Sequence, residues 1–155
     1  MRSVLKKKAS RDLLGGVWLF SRCTKKELDA IGSLATPIDV KAGRVLATQG
    51  QTGSEFFVIV SGKAEARRSD VPIGVLGPGM FFGEMSLLEH LPRVATVTTT
   101  EPTTVLVLTA KAFDKLVASM PSVDRKMLTV MADRIRDLEE RYVSAQARVV
   151  AKDIA

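Results

Sequence analysis

One cysteine, one histidine and a 5% share of aromatic residues leave this 155-residue chain without the side chains on which several protein classes depend. With Cys23 alone, no internal disulfide and no cysteine-built zinc cluster can form, and an inert thiol is expected. His90 is the only histidine, so the clustered imidazoles of a metal-bearing barrel enzyme are missing. Cys23, Ser86 and His90 make no recognisable nucleophile arrangement; no catalytic residue and no metal ligand is nominated, and the chain reads as a non-enzyme. No apolar run approaches the ~20 residues needed to cross a bilayer. No signal peptide is visible, because Lys6-Lys7-Lys8 leads into polar Ser10-Arg11-Asp12. A cytoplasmic protein, or a cytoplasmic piece of a larger one, is expected.

What the chain does have is enough length and apolar content for one domain with a real core: 46% hydrophobic and 26% charged residues. The net charge of +6 is unevenly spread. Residues 1–12 set Arg2, Lys6, Lys7, Lys8 and Arg11 against Asp12 and so carry most of it. The expectation is a basic, disordered tail over 1–12, solvated rather than bound to nucleic acid or acidic lipid.

From residue 13 the pattern changes several times. Trp18, Leu19 and Phe20 follow Gly15-Gly16 and read as core-packing residues on a short helical turn. Thr24-Lys25-Lys26-Glu27 has the form of a capping box, and Leu28, Ile31 and Leu34 continue at helical spacing, which predicts a helix over Lys25–Leu34. Strand-like runs then come at 36–40, 44–48, 56–60, 64–68, 71–76, 94–99 and 104–108, separated by glycine-rich turns, with Ser69-Asp70 as a hairpin tip. Seven or eight short strands of this kind indicate an antiparallel sandwich or roll. Helix returns at Ala110–Met120, and Pro121 ends it. Ser122 is placed as the N-cap of a long final helix over about 122–150.

The stretch from Phe81 to Val97 carries the chemistry. Gly83 permits backbone angles closed to other residues and lets a ligand approach the main chain. A helical segment over Glu84–Glu89 would leave its first N–H groups unpaired, a ready anion site. Pro92 stops the turn and delivers Arg93, whose planar fork can pair two phosphate oxygens. Glu84 repels phosphate, so at such a site it makes sense as an acceptor for sugar hydroxyls. A plainer alternative is a surface turn in which Glu84 and Arg93 only pair with each other.

Phe82-Gly83-Glu84, then Ser86-Leu87-Leu88, then Pro92-Arg93-Val94-Ala95-Thr96-Val97 resemble, in order and spacing, the phosphate-binding cassette of the cyclic-nucleotide-binding domain family, which includes the catabolite activator protein, protein kinase A regulatory subunits and cyclic-nucleotide-gated channels. The resemblance covers about residues 14–142. It implies an α+β, mainly β fold: an eight-stranded antiparallel jelly-roll-like barrel flanked by short N-terminal helices and a long C-terminal helix pair, with the binding domain over 13–142. It also implies a cyclic nucleotide ligand held by Phe82, Gly83, Glu84, Met85, Ser86, Arg93, Val94 and Ala95, Glu84 taking the ribose 2′-hydroxyl and Arg93 the cyclic phosphate. No other cofactor is implied. Val94 stands where cGMP-selective members commonly carry threonine, which favours cAMP and leaves cGMP open.

In the family the last helix folds over the base, so binding is expected to register as a movement of that helix. Arg134 matches an arginine of the catabolite activator protein's helix and could reach the base or Glu84; Leu138 and Glu139 stand where that protein has a base-reading Thr-Ser pair, so Leu138 would instead supply an apolar lid. Leu128, Met131, Ile135, Leu138, Tyr142, Ala145 and Val149 recur at intervals alternating between three and four, a narrow seam that suits a homodimer, or alternatively a stripe lying on the barrel. Few residues follow this helix, so a DNA-reading helix-turn-helix is not expected. The function expected is a cyclic nucleotide sensor with an unnamed downstream effector. The alternative is a non-catalytic interaction or regulatory module of a channel or multidomain protein with weak or no nucleotide binding.

Overall fold

The structure, a computed structural model, describes residues 6–154, with side chains through 152. Eight strands form two four-stranded antiparallel sheets. The first sheet has the order β1 (Thr36–Val40), β8 (Thr103–Thr109), β3 (Glu55–Ser61), β6 (Phe81–Phe82). The second has the order β2 (Val45–Ala47), β7 (Thr96–Thr99), β4 (Ala64–Arg68), β5 (Val71–Leu76). The architecture is therefore a mainly β, jelly-roll-like sandwich with helices at both ends of the chain, and the two sheets do not close into the expected barrel. Proline is consistent with this layout: Pro37 and Pro72 lie on β1 and β5, both edge strands, the places in a sheet where a residue without an N–H is tolerated.

Why the two central strands of the first sheet, β3 and β8, read as apolar runs follows from their place between two layers. In β3, Phe56 and Val58 face the helices while Phe57 and Ile59 face the second sheet, and all four are buried. Leu106 and Leu108 of β8 join the helical side, Val105 and Val107 the inner side. The second sheet is covered on one face only, so Val71 and Val75 of β5 remain exposed. Ser69 and Asp70 close the β4–β5 hairpin with φ of 50° and 65°, angles that matched the expected tip.

Four helices complete the chain: α1 (Lys7–Gly15), α2 (Lys25–Leu34), α3 (Ala110–Ser119) and α4 (Pro121–Ile154), with a 3₁₀ turn at Trp18–Phe20 between α1 and α2. The capping box on α2 forms as read, with Thr24 Oγ1 accepting from the Glu27 N–H at 3.2 Å and the Thr24 N–H donating to Glu27 at 2.7 Å. Helix α1 replaces the second half of the expected disordered tail. Its lysine-rich sequence hides Ser10 and Leu14, one turn apart and buried against Gly32 of α2, and Arg11 pairs with Asp29 at 3.3 Å. Residues 1–5 of that tail lie outside the described residues.

At the start of α4, Pro121 takes the first helical position that its fixed φ suits. Ser122 is thus inside the helix rather than its N-cap, and its hydroxyl donates to Glu27 at 2.6 Å. Helix α4 packs on the domain through Val123, Met127 and Val130, which are buried. Of the a/d seam, only Met131 packs partly on the core, while Leu128, Ile135, Leu138, Tyr142 and Val149 are exposed. The stripe that meets the sandwich is thus a different one, and the seam faces outward. At 1.5 Å per residue, the 34 residues of α4 run for about 50 Å.

Candidate functional site

Between the second sheet and the Phe81–Val97 stretch lies a cleft of about 500 Å³. All eight residues expected to hold a ligand line it: Phe82, Gly83, Glu84, Met85, Ser86, Arg93, Val94 and Ala95. Ala47, Ala66, Leu76 and Val97 form an apolar floor, and the polar groups converge from one side, the usual make-up of a small-molecule site.

Local sequence explains the shape of that side. Gly83 sits at φ 81°, in the left-handed region that favours glycine, and caps a 3₁₀ turn over Glu84–Leu87. This turn is shorter and tighter than the helix expected over 84–89. Leu87 is buried in the helical core and pins the turn, and the Ser86 N–H bonds the Gly83 carbonyl at 2.9 Å. After the turn, residues 91–93 clasp the loop at 50–53: the Arg93 N–H donates to the Gln51 carbonyl at 2.8 Å, the Gly50 N–H to the Arg93 carbonyl at 2.9 Å, and Thr52 bridges Pro92. Strand β7 starts only at Thr96, two residues later than the sequence pattern suggests, after residues 91–93 have been engaged by this loop.

The clasp aims the Arg93 side chain into the cleft. Nη1 donates to Ser86 Oγ at 2.9 Å and Nη2 to the Glu55 carbonyl at 2.8 Å, and the guanidinium carbon lies 5.9 Å from the Phe57 ring centre. Phe57 is in turn stacked on Phe82 at 4.8 Å. Two glycines make the room. A Cβ on Gly53 would fall 1.9 Å from Arg93 Nε, and one on Gly83 would fall 2.5 Å from Nη1 and 2.8 Å from the Glu55 carbonyl oxygen. Desolvation by burial pushes the guanidinium pKa below its ordinary value, with the Glu55 carboxylate opposing it; an arginine remains charged all the same. Arg93 is not spent on Glu84. Its hydrogen bonds go to neutral oxygens, and among the described residues no carboxylate lies within ion-pair distance of it.

Glu84 instead accepts from the Trp18 indole N–H at 3.3 Å. Arg134 stands with its guanidinium carbon 4.6 Å from the Trp18 ring centre, one residue removed from Glu84 rather than touching it. Leu138 is exposed on α4 beside Ile135 and Tyr142 and does not line the cleft. The structure therefore brings together the eight cassette residues and leaves Arg134 and Leu138 outside. Three contributors were not read as part of the site: Gly53, the Glu55 carbonyl and Trp18. Gly53 read as a turn glycine and Trp18 as an ordinary core residue, and nothing local marks the Glu55 carbonyl.

A family model described as the cyclic nucleotide-binding domain matches residues 37–120. The chain belongs to the cyclic nucleotide-binding domain family. It is 32% identical to a cAMP-dependent protein kinase regulatory subunit of Mycosarcoma maydis over 79% of its own length and 26% of that protein's. It is 36% identical to a cyclic nucleotide-gated potassium channel of Rhizobium etli, over 72% of its length and 31% of the channel's. Among solved structures, the Thermus thermophilus catabolite activator protein superposes with a TM-score of 0.63 at 30% identity, covering 83% of this chain and 63% of that one. The binding domain thus spans about a quarter to a third of the two curated relatives. Among the described residues no helix is long and apolar enough to cross a membrane.

Proposed function

We propose that this domain is a cyclic nucleotide receptor, with cAMP its favoured ligand. The cyclic phosphate sits on the Arg93 guanidinium and the N–H groups at the head of the 84–87 turn, while Glu84 takes the ribose 2′-hydroxyl. One observation supports this above all: Arg93 is held inside a cleft by two neutral oxygens, with a glycine on each side and, among the described residues, no carboxylate within ion-pair distance. A doubly esterified phosphate supplies the charge that is lacking, in the bidentate geometry that suits arginine. The base lies against the apolar floor near Val94, which offers no hydroxyl for guanine.

The output runs through α4. On ligand binding its distal half folds toward the cassette, brings Leu138 over the base as a lid and biases a two-state equilibrium that a downstream effector reads; the shift can be no larger than the ligand's differential affinity for the two states. The exposed seam from Leu128 to Val149 pairs with a second copy, which gives a helix with little support from its own domain a surface to bury. The domain is a non-catalytic sensor working in the cytoplasm, alone or as the regulatory piece of a longer protein.

A thermal-shift panel with cAMP, cGMP and AMP tests the reading. At a hundredfold excess over Kd, mass action adds about 2.7 kcal/mol, a rise of roughly 5–10 °C for a chain this long. The expected order is cAMP above cGMP, with AMP inert; no rise with either cyclic nucleotide refutes the proposal.

A further inference from the structure

Trp18 is the only tryptophan in the chain, and it touches the site from outside the cassette. Its 3₁₀ turn is anchored by buried Val17, Leu19 and Phe20, so the indole is held in place by its neighbours. Two groups meet it. The ring N–H donates to Glu84 Oε1 at 3.3 Å, and the Arg134 guanidinium from α4 lies over the ring face at 4.6 Å. Beside this contact Arg22 and Asp133 form an ion pair at 2.5 Å, a second tie between the same segment and the same helix.

The chemistry of the indole limits what it can do there. It is a donor only, so it satisfies one oxygen of the Glu84 carboxylate and cannot compete for the hydroxyl hydrogen that the other oxygen is left to accept. The terminal torsion of a glutamate is broad and nearly two-fold, and a carboxylate with no fixed donor swings freely in a cleft. We propose that Trp18 is the positioning residue for the sugar contact: its N–H sets the orientation of Glu84, and Arg134 on its ring makes that orientation depend on where α4 lies. The inference rests on the nucleotide reading above and adds a residue and a direction of coupling to it. Movement of α4 would thus reach the ribose contact through Arg134, Trp18 and Glu84 in turn, a route separate from the Leu138 lid over the base.

The test compares cAMP with 2′-deoxy-cAMP, which lacks the hydroxyl in question, by calorimetric titration of the full chain. Trp18→Phe keeps a ring for Arg134 and deletes only the N–H. It is expected to weaken cAMP about tenfold, the scale of one hydrogen bond to a charged group, while 2′-deoxy-cAMP changes less than twofold. Trp18→Leu, which also removes the seat of Arg134, is expected to weaken cAMP further. A general packing defect would weaken both nucleotides alike, so an unchanged ratio in Trp18→Phe overturns the positioning role while the nucleotide reading stands. A wild-type chain that binds neither nucleotide overturns the nucleotide reading itself. A second measurement needs no ligand and no change at Trp18: in the free protein, Glu84→Gln and Arg134→Gln should each alter the Trp18 emission, and identical spectra in both variants contradict the contact chain.

Discussion

Glu27 and Arg93 are both drawn out of bulk water, the first fully and the second in part, and they are treated in opposite ways. Glu27, on α2, is 4% exposed and fully paired: its oxygens accept from Lys126, from the Ser122 hydroxyl at 2.6 Å and from the Thr24 N–H at 2.7 Å. Burial alone would raise its pKa, but these donors, led by Lys126, hold the carboxyl down at about 2. Arg93 is partly buried with two neutral oxygens for company and an open cleft in front of it. A charge closed off by its own protein staples α2 to α4. A charge left half-satisfied beside a cavity is kept for something that is not part of the chain.

The sharpest way to break this contrast is to remove each charge in turn and read both stability and binding. Arg93→Ala should cost about 2–5 kcal/mol of cAMP binding, from 30-fold to several-thousand-fold in Kd, and leave the melting temperature nearly unchanged. Glu27→Ala should do the reverse. It breaks a buried pair and a helix cap, and a loss of about 2–4 kcal/mol in denaturant titrations is expected, with cAMP affinity within twofold of wild type wherever the fold persists. Equal effects of the two substitutions on binding would erase the distinction.

Acid sharpens the same comparison. Because the folded carboxyl of Glu27 lies below its unfolded value, its contribution is present above about pH 4.5 and is lost as pH falls toward about 2. The amount at stake is about 3 kcal/mol, and Glu27→Gln should flatten this part of the stability profile between those limits. On the Arg93 side, Gly53→Ala places a methyl where the guanidinium now lies. The flexible arginine can move aside, so stability should change by less than about 1 kcal/mol while cAMP affinity falls about tenfold. The smallest effect is expected at Cys23, whose thiol is pushed up to about 11, mainly by burial and then by Glu27. Its modification by a thiol reagent at pH 8 should be much slower than that of free cysteine, and Glu27→Gln should speed it.

How much of this was legible in the residues depends on how local each feature is. Helix α2 and strands β1, β4 and β5 fall where period and turn chemistry put them, because capping box, alternation and hairpin tip are all written within a few positions. The cassette residues were likewise readable as two short runs, 82–86 and 93–95, within one stretch, and the cleft gathers all eight. Strand β6 was not, since two residues have no period. Helix α1 was masked by its lysines, which hide a two-residue buried face. The hydrogen bond between Trp18 and Glu84 joins positions 66 apart, and the fit of Gly53 to Arg93 exists only once the loop at 50–53 has clasped residues 91–93. Such partners are made by the fold and leave no mark along the chain. The seam on α4 was visible as a pattern, but the pattern does not say which face meets the sandwich; Val123, Met127 and Val130 do.

The central claim is that Arg93 is held for one external anion, and a crystal structure of the chain grown with cAMP examines it directly. The account predicts the cyclic phosphate in the cleft with its oxygens about 2.7–2.9 Å from the Arg93 guanidinium nitrogens and the ribose 2′-hydroxyl on Glu84. Nucleotide bound elsewhere, or bound in the cleft with Arg93 making no contact to its phosphate, would contradict it.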